Sequence, residues 1–126
     1  MDGIRQIREK QRKAVEMMYD GVCTVTEHCK VTNPETHLTH FEDVVVWENQ
    51  PCRLSFESRE SVKQSESAAG TSQSIKLFLA PEISIKAGSR IRVTQNGVTA
   101  DYTHSGVPAV YASHQEIRLE LFKEYA

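Results

Sequence analysis

The sequence predicts a mainly β fold: a small antiparallel β-barrel of about six to eight strands, led by an N-terminal amphipathic α-helix and interrupted by one long polar loop. Three observations predict it. Apolar residues recur at helical spacing only in the first twenty positions, they alternate with a period of two from Val22 onward, and turn signals follow at nearly regular intervals. Closure is the natural solution for so many short strands, because it hides edges that would otherwise aggregate.

The helix is expected over residues 1–20. Ile4, Ile7, Ala14, Val15 and Met18 fall at three- and four-residue spacings with charged residues between them. Asp20-Gly21 is the expected stop, glycine being the usual residue just past a helix end. The apolar stripe is thin and is interrupted by Gln11, which points to burial against a neighbouring subunit.

Residues 22–57 and 75–122 are expected to form the barrel. Val22 to Val31 is rich in β-branched residues and ends at Asn33-Pro34-Glu35; His37 to Glu48 then returns as the second leg of a long hairpin, with Trp47 beside Val44, Val45 and Val46 expected in the core. Asn49-Gln50-Pro51 reads as a break, after which Cys52, Leu54 and Phe56 alternate with Arg53, Ser55 and Glu57. Ile75, Leu77 and Leu79 alternate likewise. Ile83 and Ile85 continue the strand-like pattern up to Ala87-Gly88-Ser89, and Ile91 and Val93 follow. Asn96-Gly97 is a strong hairpin signal, since both residues accept the positive φ of a type I′ turn. Val98, Ala100 and Tyr102 form the return strand, Gly106-Val107-Pro108 breaks the chain, and Ile117, Leu119 and Leu121 alternate in a last strand.

Between these halves, residues 58–74 hold six serines, two charges of each sign and one side chain that is apolar and larger than alanine, Val62. Such a stretch cannot bury enough area to offset the entropy of ordering it. It reads as a long excursion from a single domain spanning residues 1–126, with a binding or gating role.

The chain has 126 residues, 15 of them basic and 17 acidic, for a net charge of −2. Five cations (Arg5, Arg8, Lys10, Arg12, Lys13) against Asp2 and Glu9 give the first 13 residues +3, so residues 14–126 carry −5. A basic arm precedes an acidic body, and the overall balance of −2 argues against a protein whose main task is to coat DNA. No apolar run exceeds four residues, far below the roughly 20 of a membrane-spanning helix. The basic start lacks the apolar stretch of a secretory signal, and the odd cysteines Cys23, Cys29 and Cys52 suit reduced thiols, so the chain is expected to stay in the compartment where it is made.

No phosphate-binding glycine loop or nucleophile elbow occurs, so an enzyme is not expected. Cys29, His37 and His40 invite a metal reading, but a His-x-x-His pair on a strand faces both ways and no Cys-x-x-Cys pair completes the site. No metal, cofactor or catalytic residue is expected. A nucleic-acid-binding barrel would use the basic helix with Lys76, Arg90, Arg92 and Arg118.

Several phrases are shared with a known family. The N-terminal helix, Val44-Val45-Val46-Trp47-Glu48-Asn49-Gln50-Pro51-Cys52-Arg53-Leu54-Ser55-Phe56, the polar excursion, Ile75-Lys76-Leu77-Phe78-Leu79, Ile85 to Val93, and Pro108-Ala109-Val110-Tyr111 through His114-Gln115-Glu116 resemble the head-closure or head–tail connector (stopper, neck) proteins of tailed bacteriophages and prophage-derived particles. The resemblance spans nearly the whole chain. It implies a virion protein assembled in the host cytoplasm as a homo-oligomeric ring, twelvefold or alternatively sixfold. The ring would have a portal or adaptor above, a tail terminator or tail tube below, and double-stranded DNA held in its channel without sequence-specific binding; no membrane is involved. It further implies a subunit interface on the helix at Ile4, Ile7, Arg8, Val15 and Met18. Residues Arg59, Glu60, Lys63, Gln64, Glu66 and Gln73 would lie in a loop that faces the channel or docks a neighbouring ring. The tail-terminator and adaptor tiers of the same neck are the alternative placement.

Overall fold

A computed structural model describes residues 2–60 and 71–123. Helix α1 spans Asp2–Glu16, and seven strands follow: β1 (Gly21–Thr32), β2 (Thr39–Glu60), β3 (Thr71–Leu79), β4 (Arg90–Gln95), β5 (Val98–Thr103), β6 (Ala109–Val110) and β7 (Gln115–Leu121). The fold is mainly β, as the period-two alternation predicts. All pairings are antiparallel in the order β3-β2-β1-β4-β5-β7-β6, and a further β3–β7 pairing joins Ile75–Leu79 to Gln115–Leu119, so the sheet closes on itself.

Side chains fill the interior. Val25, Cys52, Leu77, Leu79 and Ile91 are fully buried, with Cys23, Val93, Ile117, Leu119 and Tyr102 packed around them. Alternation explains this: in residues 21–25, 77–79, 91–93 and 115–119 every second residue is buried, and the residues between are exposed or half-buried. The Cys52 thiol is pushed up from its ordinary value by its hydrogen bond with the Cys23 thiol and by burial. Asn96 and Gly97 take φ of 53° and 76°, and they make the expected tight turn between β4 and β5.

Four expectations are corrected. The helix ends at Glu16 rather than at residue 20, because Met18 and Tyr19 bond back only three residues, to Val15 and Glu16. Gly21 is the first residue of β1 and not a helix stop, paired with both Cys52 and Gln95. Asn49-Gln50-Pro51 does not end a strand. β2 runs through it for 22 residues, roughly 70 Å, by two register shifts against β1, with Asn49 at φ 51° supplying the bulge conformation. Ile83 and Ile85 are buried but belong to no strand; their segment is instead held by side chains, Gln115 Nε2 donating to the carbonyls of Ala80 and Ile83 at 2.7 and 2.5 Å, and His104 Nε2 donating to Ile85 O at 2.8 Å.

The polar excursion is also narrower than expected. Ser58↔Gln73, Arg59↔Ser72 and Glu60↔Thr71 are ladder pairs of β2 and β3, so both ends of the 58–74 segment are strand. Residues 61–70 lie outside the described residues.

Candidate interaction surfaces

β2 is longer than the closed sheet, and this creates the most prominent surface. β4 stops at Arg90, opposite Thr26, so β1 beyond that point pairs only with β2, from Glu27↔Val44 out to Thr32↔Thr39. The result is a two-stranded arm. Its tip is closed by Asn33, whose Oδ1 accepts from Glu35 N at 2.8 Å and whose backbone exchanges bonds with His37 and Leu38. The other edge of β2 meets β3 only from Cys52 onward, and Leu38, Phe41, Val44, Val45 and Val46 are exposed. The three valines beside Trp47 therefore lie outside the core. Trp47 is half-buried at the arm's root, packing on the core while Nε1 donates to Ser84 O at 3.0 Å.

The register puts Glu27 and Glu42 on one face of the arm with Val44, and Lys30 and Asp43 on the other with Phe41. His28 stacks on Phe41 with centroids 4.8 Å apart, and its Nδ1 meets Asp43 at 2.8 Å. Cys29 lies opposite Glu42, and His40 lies opposite Val31 with Nε2 2.8 Å from Glu42. Among the described residues no group of three or more His, Cys, Asp or Glu side chains could hold a metal ion.

The second surface is α1. Arg12 donates to both carboxylate oxygens of Glu82, one bond being 2.7 Å, and Arg12 Nε reaches Glu16 at 2.8 Å. Glu82 is held below the usual carboxylate range by the Arg12 hydrogen bond. Past Arg12, Val15, Met18 and Tyr19 line a cleft of about 350 Å³ with Arg53, Ser55, Phe78 and His114, and nearer the helix start Ile4, Arg5, Arg8 and Glu9 line another with Ala112. Val15 is half-buried, whereas Ile4, Ile7, Arg8 and Met18 are exposed. Burial of Tyr19 pushes its phenol up from its ordinary value.

The loop residues expected to act together are separated by the structure. Arg59, Glu60 and Gln73 have their backbones in the β2–β3 ladder, while Lys63, Gln64 and Glu66 lie outside the described residues. The arm, in contrast, was missed in the sequence as a surface, although the run Val44–Val46 preceded by a polar tip turn carries its signal.

Three cations of the nucleic-acid reading, Lys76, Arg90 and Arg92, are engaged with carboxylates. Arg90 Nη2 and Arg92 Nε lie 2.6 and 2.9 Å from Asp101, and Lys76 lies 3.8 Å from Glu116, which also meets His114 at 3.0 Å. Asp101 is held below its ordinary value by hydrogen bonds from Arg92 and then Arg90, against an opposing effect of burial. Arg118 faces Lys76 across β3 and β7. No described helix is long and apolar enough to cross a membrane.

No protein-family model and no curated protein matches this chain. Among solved structures, the chain is similar to the protein xkdH of the phage-like element PBSX from Bacillus subtilis, at 12% identity and a TM-score of 0.47, over 79% of this chain and 91% of that one.

Proposed function

We propose that this chain is a non-enzymatic ring subunit of the neck of a tailed phage or phage-like particle, joining the portal to the tail and helping to retain packaged DNA. The observation that carries this reading is the split between a filled interior and unpartnered projections. The closed sheet holds only its own side chains, whereas α1 and the β1–β2 arm present Ile4, Ile7, Leu38, Phe41 and Val45 to solvent. Isolated monomers rarely present such groups on projecting elements; assembly proteins use them to meet neighbours. The resemblance of the sequence phrases to head-closure proteins supplies the biological setting, and the −5 of residues 14–126 suits a channel through which DNA slides without sticking.

The tail-terminator and adaptor tiers remain the same kind of ring at a different level. The nucleic-acid-binding reading has less support, because Arg90, Arg92 and Lys76 spend their charge on Asp101 and Glu116. Removing the gene from the particle-producing host tests the neck reading. Filled heads that lose DNA and tails that fail to join, both restored by supplying the chain in trans, are the expected outcome. Normal particles without the chain contradict it.

A further inference from the structure

Two clefts lie along one side of α1, and both reach the segment that leads into β7. Near the helix start, Ile4, Arg5 and Arg8 line a cleft of about 530 Å³ with Ala112. Past Arg12, Val15 and Met18 line the cleft of about 350 Å³ with Arg53, Phe78 and His114. Ile4, Arg8 and Val15 follow one another at spacings of four and seven residues, which puts them on the same side of the helix. We infer that these clefts take an extended acidic segment of a partner protein, with its carboxylates at Arg5, Arg8 and Arg53 and an apolar side chain against Val15, Met18 and Phe78.

Charge selects that occupant. Arg12, Lys76, Arg90 and Arg92 are paired with carboxylates of this chain, whereas Arg5, Arg8 and Arg53 have no such partner among the described residues. Arg53 carries the most weight. It is half-buried opposite Phe78 in the β2–β3 ladder, and a cation withdrawn from water gains from a carboxylate that replaces the lost hydration. The apolar walls favour a peptide over nucleic acid, because phosphates bind through charge and gain nothing from Val15, Met18 and Phe78. Length fits as well. From Arg5 to Val15 the helix rises about 15 Å, the reach of about five extended residues. The inference rests on the assembly reading for the existence of a neighbour, and these residues give the neighbour's chemistry.

Synthetic peptides test it on the full chain. The probes are the heptapeptide Glu-Ser-Glu-Ser-Glu-Phe-Leu and its reversed sequence, one for each chain direction, titrated to about 2 mM into isotope-labelled protein and followed by NMR. At least one should shift the amides of Val15, Arg53 and Phe78 to saturation, and more weakly as salt rises to about 0.5 M. Lysine in place of each glutamate should abolish the shifts, and serine in place of Phe-Leu should weaken binding about tenfold. Arg53→Gln and Arg5→Gln/Arg8→Gln should each weaken it about fivefold, with circular dichroism showing that both variants fold. Neither peptide shifting these amides, a lysine peptide that binds as well, or arginine variants that bind like wild type would overturn the inference. So would a short DNA duplex that shifts the same amides at lower concentration than either peptide. Self-association in sedimentation velocity that the arginine variants abolish would give the clefts to a second copy and overturn it too. Any of these leaves the neck reading standing, because that reading is decided by the chain's presence in the particle.

Discussion

The side-chain amide of Gln95 completes the backbone ladder of Leu54: Oε1 accepts from Leu54 N at 2.8 Å and Nε2 donates to Leu54 O at 3.2 Å. β1, which separates β2 from β4, begins only at Gly21, opposite Cys52, so Leu54 lies past its end. A glutamine amide has the same donor and acceptor as a peptide group and fills that place. Gly21 makes the geometry feasible. A Cβ there would stand 3.0 Å from Gln95 Oε1 and 3.2 Å from the carbonyls of Cys52 and Thr94.

Gln95→Ala should therefore destabilise the chain by about 1–3 kcal/mol, the cost of leaving buried backbone groups without partners. Gly21→Ala should destabilise in the same direction by displacing the amide. The double variant should lose less than the sum, since both changes break one arrangement. Urea unfolding of the three variants checks this, and strict additivity would count against the shared arrangement.

Apolar side chains inside and outside the closed sheet should respond differently. Leu77, with no exposed area, should cost about 2–5 kcal/mol when changed to alanine. Leu38→Ser and Val45→Ser, on the arm, should stay within about 0.5 kcal/mol in the monomer, because surface changes away from packed features rarely exceed that. A large loss of monomer stability on the arm would mean that these residues serve the fold and are not kept for a partner.

Asp101 gives a pH dependence with a definite sign. Its folded value lies below its ordinary 3.8, so the stability it contributes is fully present above that value and is lost as pH falls through the lower folded value. Asp101→Asn should reduce stability at neutral pH and flatten the acid limb between those two values. An acid limb unchanged by the substitution would show that Arg90 and Arg92 do not hold the carboxylate in this way.

Removing residues 61–70 and joining the ends with a short turn should leave the closed sheet folded, with a urea midpoint close to wild type. The ladder pairs from Cys52↔Leu79 out to Glu60↔Thr71 remain to hold β2 against β3. In particles, the same deletion should impair DNA retention or tail joining. Normal infectious particles would remove any gating or docking role for the segment.

Much of this fold is legible in short stretches of sequence. Asn96-Gly97 specifies its own turn, and the alternation of Ile117, Leu119 and Leu121 specifies β7, because local dihedral preference and period decide both. Other features depend on distant strands. Trp47 packs on the core while the three valines before it are exposed, because the far edge of β2 meets β3 only from Cys52 onward. Asn49-Gln50-Pro51 read as a break because a bulge within a long strand uses the same residues as a turn. Gly21 read as a helix stop for a similar reason: the need for a missing Cβ looks alike whether the cause is a left-handed cap or the approach of Gln95. For the candidate surfaces, the thin stripe of Ile4 and Ile7 was legible, whereas the arm required knowing which strand runs out first.

Electron microscopy of purified particles from the producing host tests the central claim most directly. The account predicts density for this chain as a closed ring at the head–tail junction. Particles whose neck contains no copy of this chain would contradict it.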